Sequence, residues 1–279
     1  MMWFNYNGKL FKEHETVIDV TNRGLRYGDG LFETMKMLDG KIIFPNEHFA
    51  RLWKGLLTLE FDIPKHFTPE KLTQEIIALA TKNQHAKAAR LRLTIVRGNG
   101  GLYDAANHQP NYIIETWPLP ENSNTLNNNG LVLGIYDDVK KSCDILSNIK
   151  HNNYLPYVMA ALYAKKQKWN DAVVLNTNEH ICETAIANIF IVKDDSIFTP
   201  ALSEGCVAGI IRQEMINFLK KNNYTINQTT ITTETLLDAD EVFITNAIYN
   251  IRWVQSINNK QYTNSLTQKI YAEFLPTIL

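Results

Sequence analysis

Apolar and polar positions alternate along this chain in two rhythms. Near the start, short runs with a period of two read as strands: MWFNYNGKL, ETVIDV, GLFETMKML and KIIF. In MLDGKIIF, Asp39-Gly40 separates two apolar runs, the signature of a tight hairpin. A helical period follows in NEHFARLWKGLLTL, where Phe49, Leu52, Trp53, Leu56 and Leu57 form a stripe and Asn46 is placed to cap. TPEKLTQEIIALATKN predicts a second helix, capped by Thr68 with Pro69 in its first turn. ARLRLTIVRG and NYIIETWPL return to strand alternation. Hairpins with helices to one side make an α+β pattern.

The stretch PLPENSNTLNNNG, residues 118–130, is rich in proline and asparagine and has no apolar period. It predicts a linker between a smaller N-terminal domain, 1–117, and a larger C-terminal domain, 131–279. The second part opens with the strand LVLGIYD. A helix follows from Leu155, with Leu155, Val158, Met159, Leu162 and Tyr163 on one apolar face. DAVVLNTNEHICETAIANIFIVKDDSIFTP reads as several strands with turns at 176–178 and 194–195. GIIRQEMINFLKK is a helix with Ile211, Met215, Phe218 and Leu219 on one face, and ADEVFITNA is a strand.

Composition narrows the class. The 279 residues, 45% hydrophobic and 20% charged, suit a globular protein of one large domain or two modest ones. A formal net charge of -1 gives no push toward nucleic acid or an anionic membrane. No apolar run is long enough to span a bilayer, and the N-terminus turns polar at once, so a cytoplasmic protein is expected. Cys143, Cys182 and Cys206 form no CxxC pair, and the histidines lack metal-binding spacing. Neither a disulfide nor a metal site is expected.

Several residues could carry chemistry. Lys150 stands before a helix in a run of small polar residues, where a lone lysine ordinarily reads as a solvated charge. Glu183 lies in an apolar strand-like stretch, either on a solvent face or buried against a cationic partner. Gly205 to Arg212 brackets a helix start, which is either a simple turn or a place for a phosphate on unpaired N–H groups. Arg51 lies opposite the apolar stripe of its helix and reads as solvent-facing, although a guanidinium also matches phosphate. Arg97 precedes the glycine-rich loop GNGGLY, aimed at an anion or at solvent; that loop is not a dinucleotide fingerprint.

In order, RGLRYGDGLFETMK (23–36), HFARL (48–52), NIKHNNYLP (148–156), ETAIANIF (183–190), AGIIR (208–212) and EVFITNA (241–247) resemble class IV, fold-type IV pyridoxal-5′-phosphate (PLP) enzymes. That family holds branched-chain and D-amino-acid aminotransferases and aminodeoxychorismate lyases. The resemblance runs from about residue 4 to the C-terminus. It implies a two-domain α+β fold of the D-amino-acid aminotransferase type, with a mixed, barrel-like sheet in the larger domain. It also implies PLP as cofactor and a homodimer with active sites at the domain junction. Arg26 and the 96–108 loop are candidates for facing the partner.

By the same resemblance, Lys150 forms the Schiff base, then abstracts the Cα proton to give a quinonoid. Glu183 pairs with the cofactor's ring nitrogen, and Tyr154 lies near its hydroxyl. Arg51 and the backbone of Ile210 and Ile211 hold its phosphate, with Asn246 and Ala247 beside them. Ile211 and Ala247 stand where many aminotransferases carry threonine, so two hydroxyl contacts are missing. Tyr27, in the family's active-site strand, and Arg97 are the substrate-binding candidates. The activity implied is an aminotransferase of amino acids. The alternative is 4-amino-4-deoxychorismate lyase, which releases pyruvate and 4-aminobenzoate for folate synthesis. The IIRQ and TNA segments and the KHNNYLP spacing resemble that lyase branch, whereas the glycine loop carries Leu102 near the place where the branch usually has a second arginine, leaving Arg97 for a carboxylate.

Overall fold

The computed structural model describes residues 2–279 and divides into two compact units. One comprises Met1–Pro120 with Ile149–Asn153, the other Glu121–Asn148 with Tyr154–Leu279. The expected linker straddles the change of unit at Pro120. The five residues around Lys150 belong to the first unit, although the chain on either side of them belongs to the second.

The first unit contains β1 (Trp3–Tyr6), β2 (Lys9–Lys12), α1 (Arg23–Tyr27), β3 (Gly30–Leu38), β4 (Lys41–Ile42), α2 (Pro45–Thr58), α3 (Pro69–Lys82), β5 (Ala88–Arg97) and β6 (Pro110–Pro118). Its strands form one antiparallel sheet in the order β2-β1-β6-β5-β3-β4. Leu31, Met35 and Met37 of β3 and Leu91, Leu93 and Ile95 of β5 share a core with Leu52 and Leu56 of α2 and Leu72 and Ile76 of α3. A period of two then puts Phe32, Thr34, Lys36, Arg90 and Arg92 on the opposite sheet face.

The hairpin at Asp39-Gly40 forms with both residues left-handed, φ 45° and 76°, which suits the right-handed twist of its strands. Thr68 caps α3, accepting from Lys71 N–H at 3.2 Å. Two expectations change. ETVIDV forms no strand and leads irregularly into α1. Phe44, not Asn46, takes the N-cap position of α2, because Pro45 enters the first helical position and draws the cap to the residue before it.

The second unit contains β7 (Leu131–Lys141), α4 (Leu155–Gln167), β8 (Asp171–Asn176), β9 (Ile181–Thr184), β10 (Asn188–Lys193), β11 (Ser196–Pro200), α5 (Ile210–Lys221), β12 (Ile226–Thr229), α6 (Thr233–Asp238), β13 (Glu241–Asn246), β14 (Asn250–Ile257), β15 (Lys260–Gln261) and α7 (Ser265–Phe274). The mixed sheet runs β12-β11-β10-β13-β14-β7-β8-β9, with β15 on β14. A sharp turn in which Thr184 N–H reaches Ala187 O brings β10 back beside β9, and the sheet curls into a half barrel. The fold is thus the mixed α+β type expected.

Helix α4 overturns its sequence reading. Tyr157, Ala160 and Ala164 face inward against Tyr136, Ala172 and Val174. Leu155, Val158, Met159 and Leu162 are left outside, 44–68% exposed. Small alanines let the helix axis approach the sheet closely, so the bulkier stripe turns away. Among the described residues, no helix is long and apolar enough to cross a membrane.

Candidate active site

Lys150 is carried on a stub paired to the first unit's sheet. Phe32 N–H donates to Lys150 O at 2.9 Å, and Asn152 N–H donates to Gly30 O at 2.9 Å. Leu31 and His151 form an antiparallel bridge between them. Gly30 makes this approach possible, since a Cβ there would lie 2.1 Å from Ile95 O and 2.6 Å from Asn152 Nδ2. Lys150 is half-buried, with Nζ 4.6 Å from the Phe32 ring centroid. The Arg92 guanidinium carbon lies 3.8 Å from the same centroid. The amine is therefore seated over an aromatic ring with a second cation at that ring, not a freely solvated surface charge.

Glu183, on β9, is buried with partners. Its Oε1 accepts from Lys141 Nζ at 3.0 Å and from Tyr157 O–H at 2.5 Å. Val207 N–H reaches both carboxylate oxygens at 3.1 Å, and Asn188 Nδ2 lies 3.3 Å from Oε2. Burial works against the Lys141 charge, but Glu183 outweighs it and raises the lysine pKa above its ordinary value. Burial, and then Glu183, push the Tyr157 phenol up as well. The Tyr154 ring sits 4.3 Å from that of Tyr157, centroid to centroid.

The loop that opens α5 is pinned to this acid. Val207 N–H ends on Glu183, and Ala208 N–H donates to Asn148 O at 3.1 Å. Asn148 Nδ2 returns to Leu202 O at 2.9 Å and Cys206 O at 2.7 Å. Gly209 is the N-cap residue, and a Cβ there would stand 1.9 Å from Asn188 Oδ1. Ile210 and Ile211 follow as the first helical residues, with buried side chains and first-turn N–H groups that have no intrahelical acceptor. Asn246 spends its oxygen on its own turn, accepting from Ile248 N–H at 3.0 Å and Tyr249 N–H at 2.9 Å, with Ala247 between them.

Three predicted residues sit differently from expectation. Arg51 is not solvent-facing: its Nε donates to Glu33 Oε1 at 2.8 Å and its terminal nitrogen to Oε2 at 2.6 Å. Arg97 is buried and bound to Asp29, to Glu60 O at 3.0 Å and to Leu59 O. Those bonds give it a bracing role in place of the expected substrate contact. Tyr27 closes α1 instead of lying in a strand, and leans on Tyr103 at 5.7 Å between centroids. Arg92, Lys36 and Lys141 escaped the sequence reading. The even-numbered alternation of β3 and β5 was the available signal for the first two. Lys141 had none, because a bulge between Tyr136 and Lys141 sets its register.

The chain is similar to proteins of one known family. Residues 30–257 match the family model described as amino-transferase class IV. An aminodeoxychorismate lyase of Vibrio harveyi is 30% identical over 246 residues, covering 88% of this chain and 89% of the relative. A D-alanine aminotransferase of Listeria monocytogenes serotype 4b is 27% identical over 288 residues, covering 98% of this chain and 95% of the relative. Among solved structures, a branched-chain aminotransferase of Thermoproteus uzoniensis with norvaline superposes with a TM-score of 0.88 at 24% identity, covering 99% of this chain and 94% of that one.

Proposed function

Because the chain belongs to the class IV aminotransferases, enzymes that work with PLP, we propose that it moves the α-amino group of an amino acid, with Lys150 as the cofactor-bearing residue. One observation carries the reading: a single pinned loop joins a buried acid to a helix start. Val207 N–H is tied to Glu183 while Ile210 and Ile211 open α5 three residues on. A phosphorylated pyridine asks for both, an anion for its ring nitrogen and helix N–H groups for its phosphate. The donor set fits. Glu183 Oε1 is filled by three donors, whereas Oε2 has one shared N–H and a long contact, so it can still accept.

When bound, PLP supplies an aldehyde that condenses with amines and a ring that draws electrons from the substrate's α-carbon. The chain's part is to hold and to move protons. Lys150 Nζ would anchor the cofactor and, as a free amine, would take the substrate's α-proton. Glu183 Oε2 would hold a proton on the ring nitrogen. The backbone of Ile210 and Ile211 would carry the phosphate, with Arg51, Asn246 and Ala247 as the further residues that the family resemblance assigns to it, and Tyr154 would meet the ring hydroxyl. The wild-type protein with PLP is expected to show the visible absorption of a lysine-bound cofactor, and Lys150→Ala to lose it. A colourless wild type after reconstitution would sink the reading.

A second reading has its own observation. Lys36 and Arg90 are register partners, as are Thr34 and Arg92, on the sheet face that bears Phe32. Arg90, Arg92 and the partly charged Lys36, even with Glu115 opposite Arg92, leave a cationic surplus on that face that suits a substrate with two carboxylates, as in elimination of pyruvate from aminodeoxychorismate. Supplying that compound, and separately amino-acid donors with 2-oxoglutarate, separates the two: 4-aminobenzoate plus pyruvate marks the lyase, a new keto acid the transaminase.

The assembly we infer is a homodimer. Arg23 ties down the loop tip, donating to Gly100 O at 3.3 Å, Leu102 O and Tyr103 O at 3.2 Å. The same tip exposes Leu102 and Tyr103, the latter by 90%. A loop tied down by Arg23 with an apolar tip, and the outer stripe of α4, supply the kind of surface an obligate interface buries.

A further inference from the structure

Lys141 is the ion-pair partner of Glu183. Its side chain is 6% exposed, at the end of β7 beyond the ladder bulge. Nζ is fixed by two acceptors, Ser147 O at 3.1 Å and Glu183 Oε1 at 3.0 Å, and lies 5.0 Å from the Tyr157 ring centroid. The carboxylate is loaded unevenly. Lys141, Tyr157 and Val207 crowd Oε1, while Oε2 receives the shared Val207 N–H and the 3.3 Å contact from Asn188.

We propose that Lys141 is a positioning residue that keeps Glu183 ionised and turned so that Oε2 is the edge offered to the cofactor's ring nitrogen, which keeps the proton. This rests on the PLP reading above. A proton shared between a carboxylate and a pyridine-type nitrogen lies on the stronger base in that setting. A buried carboxylate with no cation beside it is a strong base, because desolvation penalises its charge. A cation at 3.0 Å on Oε1 opposes that penalty. A group on Oε2 feels the same cation less, since the carboxylate's own charge offsets it. The zwitterionic arrangement therefore wins, with the acid charged and the ring protonated.

The other groups around the carboxylate do not supply this. The Tyr157 phenol is held in its neutral form by burial and by Glu183, so it gives a hydrogen bond and no charge. The thiols of Cys182 and Cys206 are pushed up by burial and stay neutral. Arg212 is close enough to interact with Glu183, but its own hydrogen bonds go to Pro200 O and Gln228.

The test uses holoenzyme reconstituted with PLP isotopically labelled at the ring nitrogen, in wild type, K141Q, K141R and Y157F. Bound-cofactor absorption in the wild type checks the underlying reading by itself, and a colourless wild type would overturn that reading first. In coloured protein, the nitrogen chemical shift reports ring protonation without any turnover. Wild type and K141R are expected to show the protonated signal, K141Q the unprotonated one. K141Q should also lose about tenfold or more in kcat with KM little changed. Y157F removes a donor from the same oxygen without removing charge, and should keep the protonated signal. The proposal falls if K141Q stays protonated or if Y157F loses the signal as fully as K141Q. It falls also if the chain folds with arginine but not glutamine at 141, which would assign the cation to the fold alone.

Discussion

Glu33 grips Arg51 with both oxygens. The contacts are 2.8 Å to Nε and 2.6 Å to a terminal nitrogen, and Oε2 also meets His48 Nδ1 at 2.7 Å. Both carboxylate oxygens are thereby committed to α2, and the arginine expected at the phosphate is held in one geometry from behind. Burial pushes the Glu33 pKa up, but Arg51 and then His48 outweigh it and hold it at about 2.

Glu33→Gln is expected to lower the unfolding free energy by ~3–5 kcal/mol, because it leaves the half-buried Arg51 and the buried His48 without their counter-charge. Denaturant titration checks this. The pH dependence has a definite sign. Glu33 titrates lower in the folded chain than in the unfolded one, so its stabilisation is complete above the unfolded carboxylate pKa of about 4.3 and disappears as pH falls toward 2. Wild type should lose stability across that window, and Glu33→Gln should lack that component.

Gly209→Ala is expected to displace Asn188, whose Oδ1 would lie 1.9 Å from the new Cβ. Asn188 Nδ2 bonds Val207 O at 2.9 Å, so the loop joining Glu183 to α5 would shift. PLP affinity, measured by titrating apoprotein, should fall by roughly tenfold or more, while the melting temperature changes less than in Glu33→Gln.

Lys36 is buried on the sheet face that bears Phe32, and burial pushes its pKa down to about 7. The folded value lies below the unfolded one of about 10.4, so the lysine costs stability at low pH, and that cost shrinks as pH rises from about 7. Lys36→Met should raise the melting temperature at pH 6 and gain less at pH 9. Its activity should drop if this face receives a substrate carboxylate.

Replacing Leu102 and Tyr103 together by serine is expected to leave the fold intact and shift the protein from dimer toward monomer. Light scattering coupled to size exclusion reads the mass. A wild type that is monomeric at micromolar concentration would contradict the homodimer.

Much of this could be seen in the residues alone. Asp39-Gly40 dictates a left-handed two-residue turn, Thr68-Pro69 a helix start, and the glycines before Ile210 a tight entry into a helix. Each acts through its own backbone, within a few residues, so no distant contact is needed. Six motifs in order were enough to place the chain in its family, whereas Glu183 between apolar neighbours fitted a solvent face as well as a buried acid, and only the fold chose burial.

Other features were settled across the fold. The stripe on α4 has a proper helical period, yet its alanine side is the one that fits the sheet, and period alone does not say which face meets a surface. Arg51 looked solvent-facing until Glu33, eighteen residues away, met it from β3. Lys141 reaches Glu183 across forty-two residues and a bulge. Local patterns record which side chains share a direction; what waits in that direction depends on strands brought together from far along the chain, and only the tertiary structure decided it.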